Sequence, residues 1–199
     1  MFIEEIIESY ESTGEIQISS EWDVSSIRDL VFTAIANTNR FNGMTKFPYN
    51  LIQHSIFVSN YARDLYLIYK RANKDRLYWK IGLCGLVHDL GEVIVGDTIF
   101  PIKKRVNREY ENKIEFAFIN WFLRYCYDLD VDLTEDFYKS YIKEADSTAG
   151  ILELIGVSKD YKFCAESFLE KAFDYEYNID DYTKILEDCK KEYTSLSFV

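Results

Sequence analysis

Residues 77–90, LYWKIGLCGLVHDL, are apolar on nearly every side of any helix they form. A helix with no polar face has nothing to turn toward water, so other elements must surround it. The rest of the chain supplies them. In residues 51–70 the apolar positions Phe57, Val58, Tyr61, Ala62, Leu65 and Ile68 recur at the spacing of one helical face. Further helices are predicted near 26–38, 109–127, 134–156 and 179–193. The first opens on a capping-box-like Ser26-Ile-Arg-Asp29, and another on Thr134, with Glu135 and Asp136 in its first turn. Only eight glycines and two prolines interrupt 199 residues, so the reading is all-α, a helical bundle in one domain spanning 1–199. The stretches around 40–50 and 93–108 read as irregular. They hold Pro48 and Pro101, together with Arg40, Lys46, Lys103, Lys104 and Arg105.

Charge and composition exclude several classes of function. A net charge of −11 disfavours binding to nucleic acid polymers, whose phosphates are held by clustered cations. No apolar run approaches the ~18 residues that a membrane span needs. The start, MFIEEIIESYESTGE, is acidic where a signal segment would be basic, which predicts a cytoplasmic chain. Cys84, Cys126, Cys164 and Cys189 are widely spaced and form no CxxC pair, so they read as reduced thiols. A small phosphorylated ligand remains compatible with the acidity if a metal and a few local cations offset it.

The buried run ends in polar groups. GLVHDLGEVIVGD sets His88, Asp89, Glu92 and Asp97 among aliphatic residues, and buried charge without a partner is costly. The chain has two histidines, and the other, His54, opens the helix read at 51–70. Asp146 adds a carboxylate beside the buried face marked by Ala145 and Ala149. Two imidazoles and two carboxylates suit one divalent transition metal with positions left open. Taken singly, a histidine on an amphipathic helix or an acid such as Asp146 is more often an ordinary hydrogen-bonded, solvated or capping residue, whereas the tandem His88-Asp89 at the end of a buried helix needs partners. Glu92 follows His88 by four, shares its face if the turn continues through Gly91, and can act as general base beside a metal or pair with a nearby cation. Asp97, after Gly96, reads as a water-handling group or a turn residue.

In order and spacing, His54, His88-Asp89 and Asp146 resemble the H…HD…D signature of the HD-domain metal-dependent phosphohydrolases. The likeness extends further. ANTNRFNGMTKFPYNLIQHS is similar to the segment in which an "RF-G" element precedes the first ligand, and VHDLGEVIVGDTIFPIKK to the "HD..E...GD...P.K" segment. The nearest resemblance is to small 5'-deoxynucleotidases and phage-type dATP triphosphohydrolases. It spans about 26–155 and leaves a C-terminal helical extension at about 160–199. Val93 stands where (p)ppGpp hydrolases carry a second acid, and the binuclear phosphodiesterases would need further histidines and a GYP element.

The resemblance implies a hydrolase of (deoxy)nucleoside 5'-monophosphates or of deoxynucleoside triphosphates such as dATP. One divalent ion (Mn, Co, Zn, Fe or Mg) would be bound by His54, His88, Asp89 and Asp146. Glu92 and Asp97 would serve the attacking water and the leaving group, Arg40 would hold phosphate, and Lys103 or Lys104 would meet a longer phosphate chain. It also implies a homo-oligomer, dimer or larger. The competing readings are an inactive HD module that binds a nucleotide or a protein, and a helical protein with an acidic docking face.

Overall fold

The computed structural model describes residues 2–19, 21–40, 49–71, 73–95, 108–131, 133–157 and 177–196. Its first helix, α1 (Phe2–Thr13), is absent from the sequence reading, although Phe2, Ile3, Ile6 and Tyr10 have helical spacing and Phe2 and Ile6 are buried. The Trp22 indole packs on Phe2, ring centroids 5.0 Å apart, and donates to Glu5 at 3.0 Å, so it serves the packing of α1. Helix α2 (Val24–Asn37) begins before the expected Ser26 start. Asp23 is its cap, accepting the Ser26 N–H and hydroxyl at 2.9 Å each, because a carboxylate can satisfy both donors at once.

Helix α3 (Leu51–Lys70) starts in a reciprocal capping box between Asn50 and Gln53. The apolar run becomes α4 (Arg76–Val87), capped by Asp75, with His88 at its C-terminal end. A single helical turn follows, α5 (Glu92–Val95), and then α6 (Arg108–Tyr127). Thr134 caps the next run as expected, accepting from Phe137 N at 3.1 Å. This run, α7, comprises Glu135–Phe137, a π-helical turn Tyr138–Ile142, and Lys143–Val157. The last helix, α8 (Ile179–Ser195), buries Tyr182, Leu186, Cys189 and Tyr193, one face at helical spacing. Among the described residues the only β pairing is an isolated antiparallel bridge between Asn39 and Asn50. The fold is all-α.

Helix α4 lies in the centre, as its composition requires, with Ile81, Leu83, Leu86 and Val87 essentially inaccessible. It is closest to α3, and small residues permit the approach. A Cβ added at Gly85 would fall 2.6 Å from the Ser59 Cα, and the Ser59 hydroxyl donates to the Gly82 carbonyl at 2.9 Å. Helix α8 covers the other side of α4, where the Tyr182 hydroxyl donates to the Leu86 carbonyl at 2.8 Å. Cys84, Cys126 and Cys189 are buried free thiols, and Cys164 lies outside the described residues. No helix among the described residues is long and apolar enough to cross a membrane.

Candidate active site

The tight α3–α4 contact sets two imidazoles against each other. His54 lies in the first turn of α3, five residues before Ser59, and His88 lies three residues after Gly85. Their Nε2 atoms are 3.3 Å apart. His54 Nε2 also lies 3.3 Å from Asp89 Oδ2 and 3.3 Å from Asp146 Oδ1, while His88 Nε2 is 3.3 Å from Asp89 Oδ1 and 3.8 Å from Asp146 Oδ1. Side chains from α3, from the end of α4 and from α7 thus point at one small volume.

Both rings have their other nitrogen engaged. His54 Nδ1–H donates to Glu153 Oε1 at 2.5 Å, and His88 Nδ1–H to the Gly85 carbonyl at 2.9 Å. With those protons in place, two Nε2 lone pairs face each other and the carboxylates, a donor set that calls for a cation between them. His54, His88 and Asp89 offer ligand atoms within 4.8 Å of one another, and could hold a metal ion. Ligands about 2.0–2.2 Å from a shared tetrahedral centre lie roughly 3.3–3.6 Å apart, close to the separations found here. Asp146 Oδ1 contacts both imidazoles but is not among these three.

Around these four lies a group that the sequence reading does not include. Glu153, fully buried, accepts the Tyr49 hydroxyl at 2.8 Å as well as His54, and its Oε2 is 3.5 Å from Arg40 Nη2. Arg40 Nη1 reaches Asp89 Oδ2 at 3.3 Å. The backbone bridge places these partners, since Arg40 N donates to the Tyr49 carbonyl at 2.8 Å and Leu51 N to the Thr38 carbonyl at 3.1 Å. On α7 the Tyr138 hydroxyl donates to Asp146 Oδ2 at 2.5 Å, and its ring lies nearly parallel to His88 at 6.1 Å. A signal for Glu153 exists in the sequence: it stands in the apolar ILELIGV, seven residues after Asp146 and so on the same helix face.

Burial would neutralise these groups, yet the carboxylates favour positive charge at the imidazoles, the place a bound cation would take. Desolvation pushes Asp89, Asp146 and Glu153 up, but both imidazoles lower Asp89 and Asp146 and His54 lowers Glu153, with help from Arg40 at Asp89 and Glu153. Burial likewise pulls His54 and His88 down, and the carboxylates outweigh it, Glu153 foremost at His54 and Asp89 at His88. Arg40 is raised by Asp89, Glu153, Glu92 and Asp146 against its own desolvation. With the imidazoles neutral, Asp89, Asp146 and Glu153 outnumber Arg40, and that imbalance favours a further cation.

Glu92 is buried, but its register differs from the one expected. The chain from Val87 to Ile94 is tied by i→i−3 bonds, among them Glu92 N to the Asp89 carbonyl at 3.0 Å. Three residues per turn line Glu92 up with Asp89 instead of His88, because the turn tightens where α4 ends. Gly91 allows this turn to press on α6, where an added Cβ would lie 2.6 Å from the Glu115 side chain. Asp97, Lys103 and Lys104 lie outside the described residues.

A family model described as 5'-deoxynucleotidase YfbR-like matches residues 31–191. The chain belongs to this family. The YfbR-like proteins are an HD-domain phosphohydrolase family, and HD-type phosphohydrolases use a divalent metal. The YfbR-like match runs past the 26–155 stretch of the motifs and takes in most of α8. A search of curated proteins finds no match.

Proposed function

We propose that this YfbR-like chain is a divalent-metal-dependent hydrolase that removes the 5'-phosphate from deoxynucleoside monophosphates. The observation that carries the reading is the meeting of His54, His88, Asp89 and Asp146 beside Arg40, from three helices that have no other reason to gather acids in a core. These four would hold the ion, and Glu153 and the Gly85 carbonyl keep both Nε2 atoms turned toward it. When bound, the ion supplies Lewis acidity toward a phosphoryl oxygen and acidifies a water. Arg40 receives the phosphate and offsets the charge gathering on its oxygens. Glu92 takes the proton of the attacking water. As the new P–O bond forms and the bond to the 5' oxygen breaks, Asp97 gives that oxygen a proton. Asp97 enters on the motif alone, as do Lys103 and Lys104, which would hold further phosphates if the substrate carried them.

The same reading takes residues 1–199 as one domain, supported by the packing of α8 on α4. By resemblance it takes the protein as a cytoplasmic homo-oligomer, dimer or larger. The test is a screen of nucleoside mono-, di- and triphosphates with Mn²⁺, Co²⁺, Zn²⁺ and Mg²⁺ after chelation, separating phosphate, diphosphate and triphosphate as products. Deoxynucleoside monophosphates should release phosphate only when a divalent ion is restored. Release of triphosphate from dATP alone would make the chain a triphosphohydrolase. Stoichiometric metal without turnover would leave an inactive nucleotide- or protein-binding module, and no metal at all a structural acidic face.

A further inference from the structure

We propose that Glu153 is a positioning residue that holds the metal-binding His54 and the phosphate-binding Arg40 in a single geometry. This rests on the function proposed above. Glu153 is completely buried, a costly place for a carboxylate where an aliphatic side chain would pack without penalty. What it touches accounts for its presence. One oxygen accepts both the His54 Nδ1 proton and the Tyr49 hydroxyl, and the other faces Arg40 at 3.5 Å. Tyr49 and Arg40 are already joined through the Arg40 N–H and the Tyr49 carbonyl, so Glu153 closes a ring between this bridge and α3.

Without an acceptor at Nδ1, the neutral imidazole is free to carry its proton on Nε2. That atom would then be lost as a ligand. The position of Glu153 on α7 adds to this, since two turns of one helix deliver both Asp146 and the group that orients His54. Arg40 gains as well: with Asp89 on one nitrogen and Glu153 on the other, its guanidinium plane is set before a phosphate arrives.

Glu153→Gln keeps the shape of the side chain, removes the charge and leaves one acceptor oxygen where two are used, so an amide NH₂ must face either His54 Nδ1–H or Arg40. Zn²⁺ and Mn²⁺ titrated into the chelated protein should bind roughly 10–100-fold more weakly than to the wild type, the usual loss when an outer partner of a ligating histidine is changed. KM for the nucleotide should rise together with the metal dissociation constant, because Arg40 is released too. Tyr66→Phe, which removes a hydrogen bond to Asp75 at the far end of α3, serves as the control for a loss of stability alone and should leave metal affinity unchanged. Folded Glu153→Gln that binds metal as tightly as wild type overturns the proposal and leaves the function standing. Wild-type protein that binds no divalent ion overturns the function itself.

A second measurement needs no variant. In the Zn²⁺-loaded wild type, nitrogen-proton correlation spectra should place a downfield, hydrogen-bonded proton on His54 Nδ1. A His54 that carries no proton there when zinc is bound overturns the proposal even if Glu153→Gln fails to fold.

Discussion

Asp89 reaches both imidazoles and Arg40 with its two oxygens. Asp89→Ala is therefore expected to abolish stoichiometric metal, measured by elemental analysis, together with turnover. Glu92 stands one tight turn later and outside the ligand set. Glu92→Ala should keep the metal and lose on the order of 10²- to 10⁴-fold in kcat, the range for removing a general base. Near wild-type turnover in the purified variant would show that another group takes the water's proton. Arg40 and the two lysines divide differently. Arg40→Ala should impair every nucleotide, whereas Lys103→Ala with Lys104→Ala should weaken triphosphates far more than monophosphates. Steady-state kinetics on paired mono- and triphosphates of one nucleoside decide this, and equal losses would mark the lysines as solvated charges.

Two local departures from ideal helix packing shape the site. At Gly85 a methyl group would press to 2.6 Å from backbone, so α3 and α4 would have to separate. Gly85→Ala is expected to cost about 1–3 kcal/mol, the range for overpacking, and to weaken metal binding by moving His54 from His88. A denaturant midpoint equal to wild type would show that the helices have slack there. The other departure is the π turn in α7. Eight residues separate Tyr138 from Asp146, a step that leaves two α-helical side chains about 80° apart, while seven residues bring them within about 20°. The extra residue of the π turn absorbs the difference and sets the Tyr138 hydroxyl on Asp146. Tyr138→Phe should weaken metal binding by roughly fivefold, the equivalent of about 1 kcal/mol for one hydrogen bond, as read by calorimetric titration.

Across the whole molecule, stability should respond to metal and to alkali through separate groups. A cation bound only by the folded chain stabilises it by mass action, so chelation should lower Tm and restored metal should recover it. Alkaline sensitivity arises in the core. Burial raises the Cys84 thiol from 9.0 to about 12, Lys80 opposing it only in part, and burial with the hydrogen bond to Asp75 raises the Tyr66 phenol to about 12. Both groups are neutral in the fold and ionise sooner once unfolded. Their contribution is thus fully present below pH 9 and is lost as pH rises through about 12. Urea midpoints should fall over that window, and Cys84→Ala, less stable at neutral pH, should show a shallower decline. An identical slope would assign the decline to other groups.

The sequence alone carried the helices, because apolar spacing at 51–70, 77–90, 109–127 and 134–156 is a local property that survives into α3, α4, α6 and α7. It also singled out His54, His88, Asp89 and Asp146, as polar groups set where burial would be costly. Local signals were enough for that. They were not enough for α1, or for the choice of Asp23 over Ser26 as a cap, where neighbouring acceptors compete and their geometry decides. The partners of the four were decided by tertiary structure alone. Glu153 meets His54 from 99 residues away and Tyr49 from 104, distances along the chain that carry no periodic signal. What brings them together is the crossing of α3 on α4 at Gly85, the bridge from Asn39 to Asn50 and the register of α7, three contacts set by shape between distant segments.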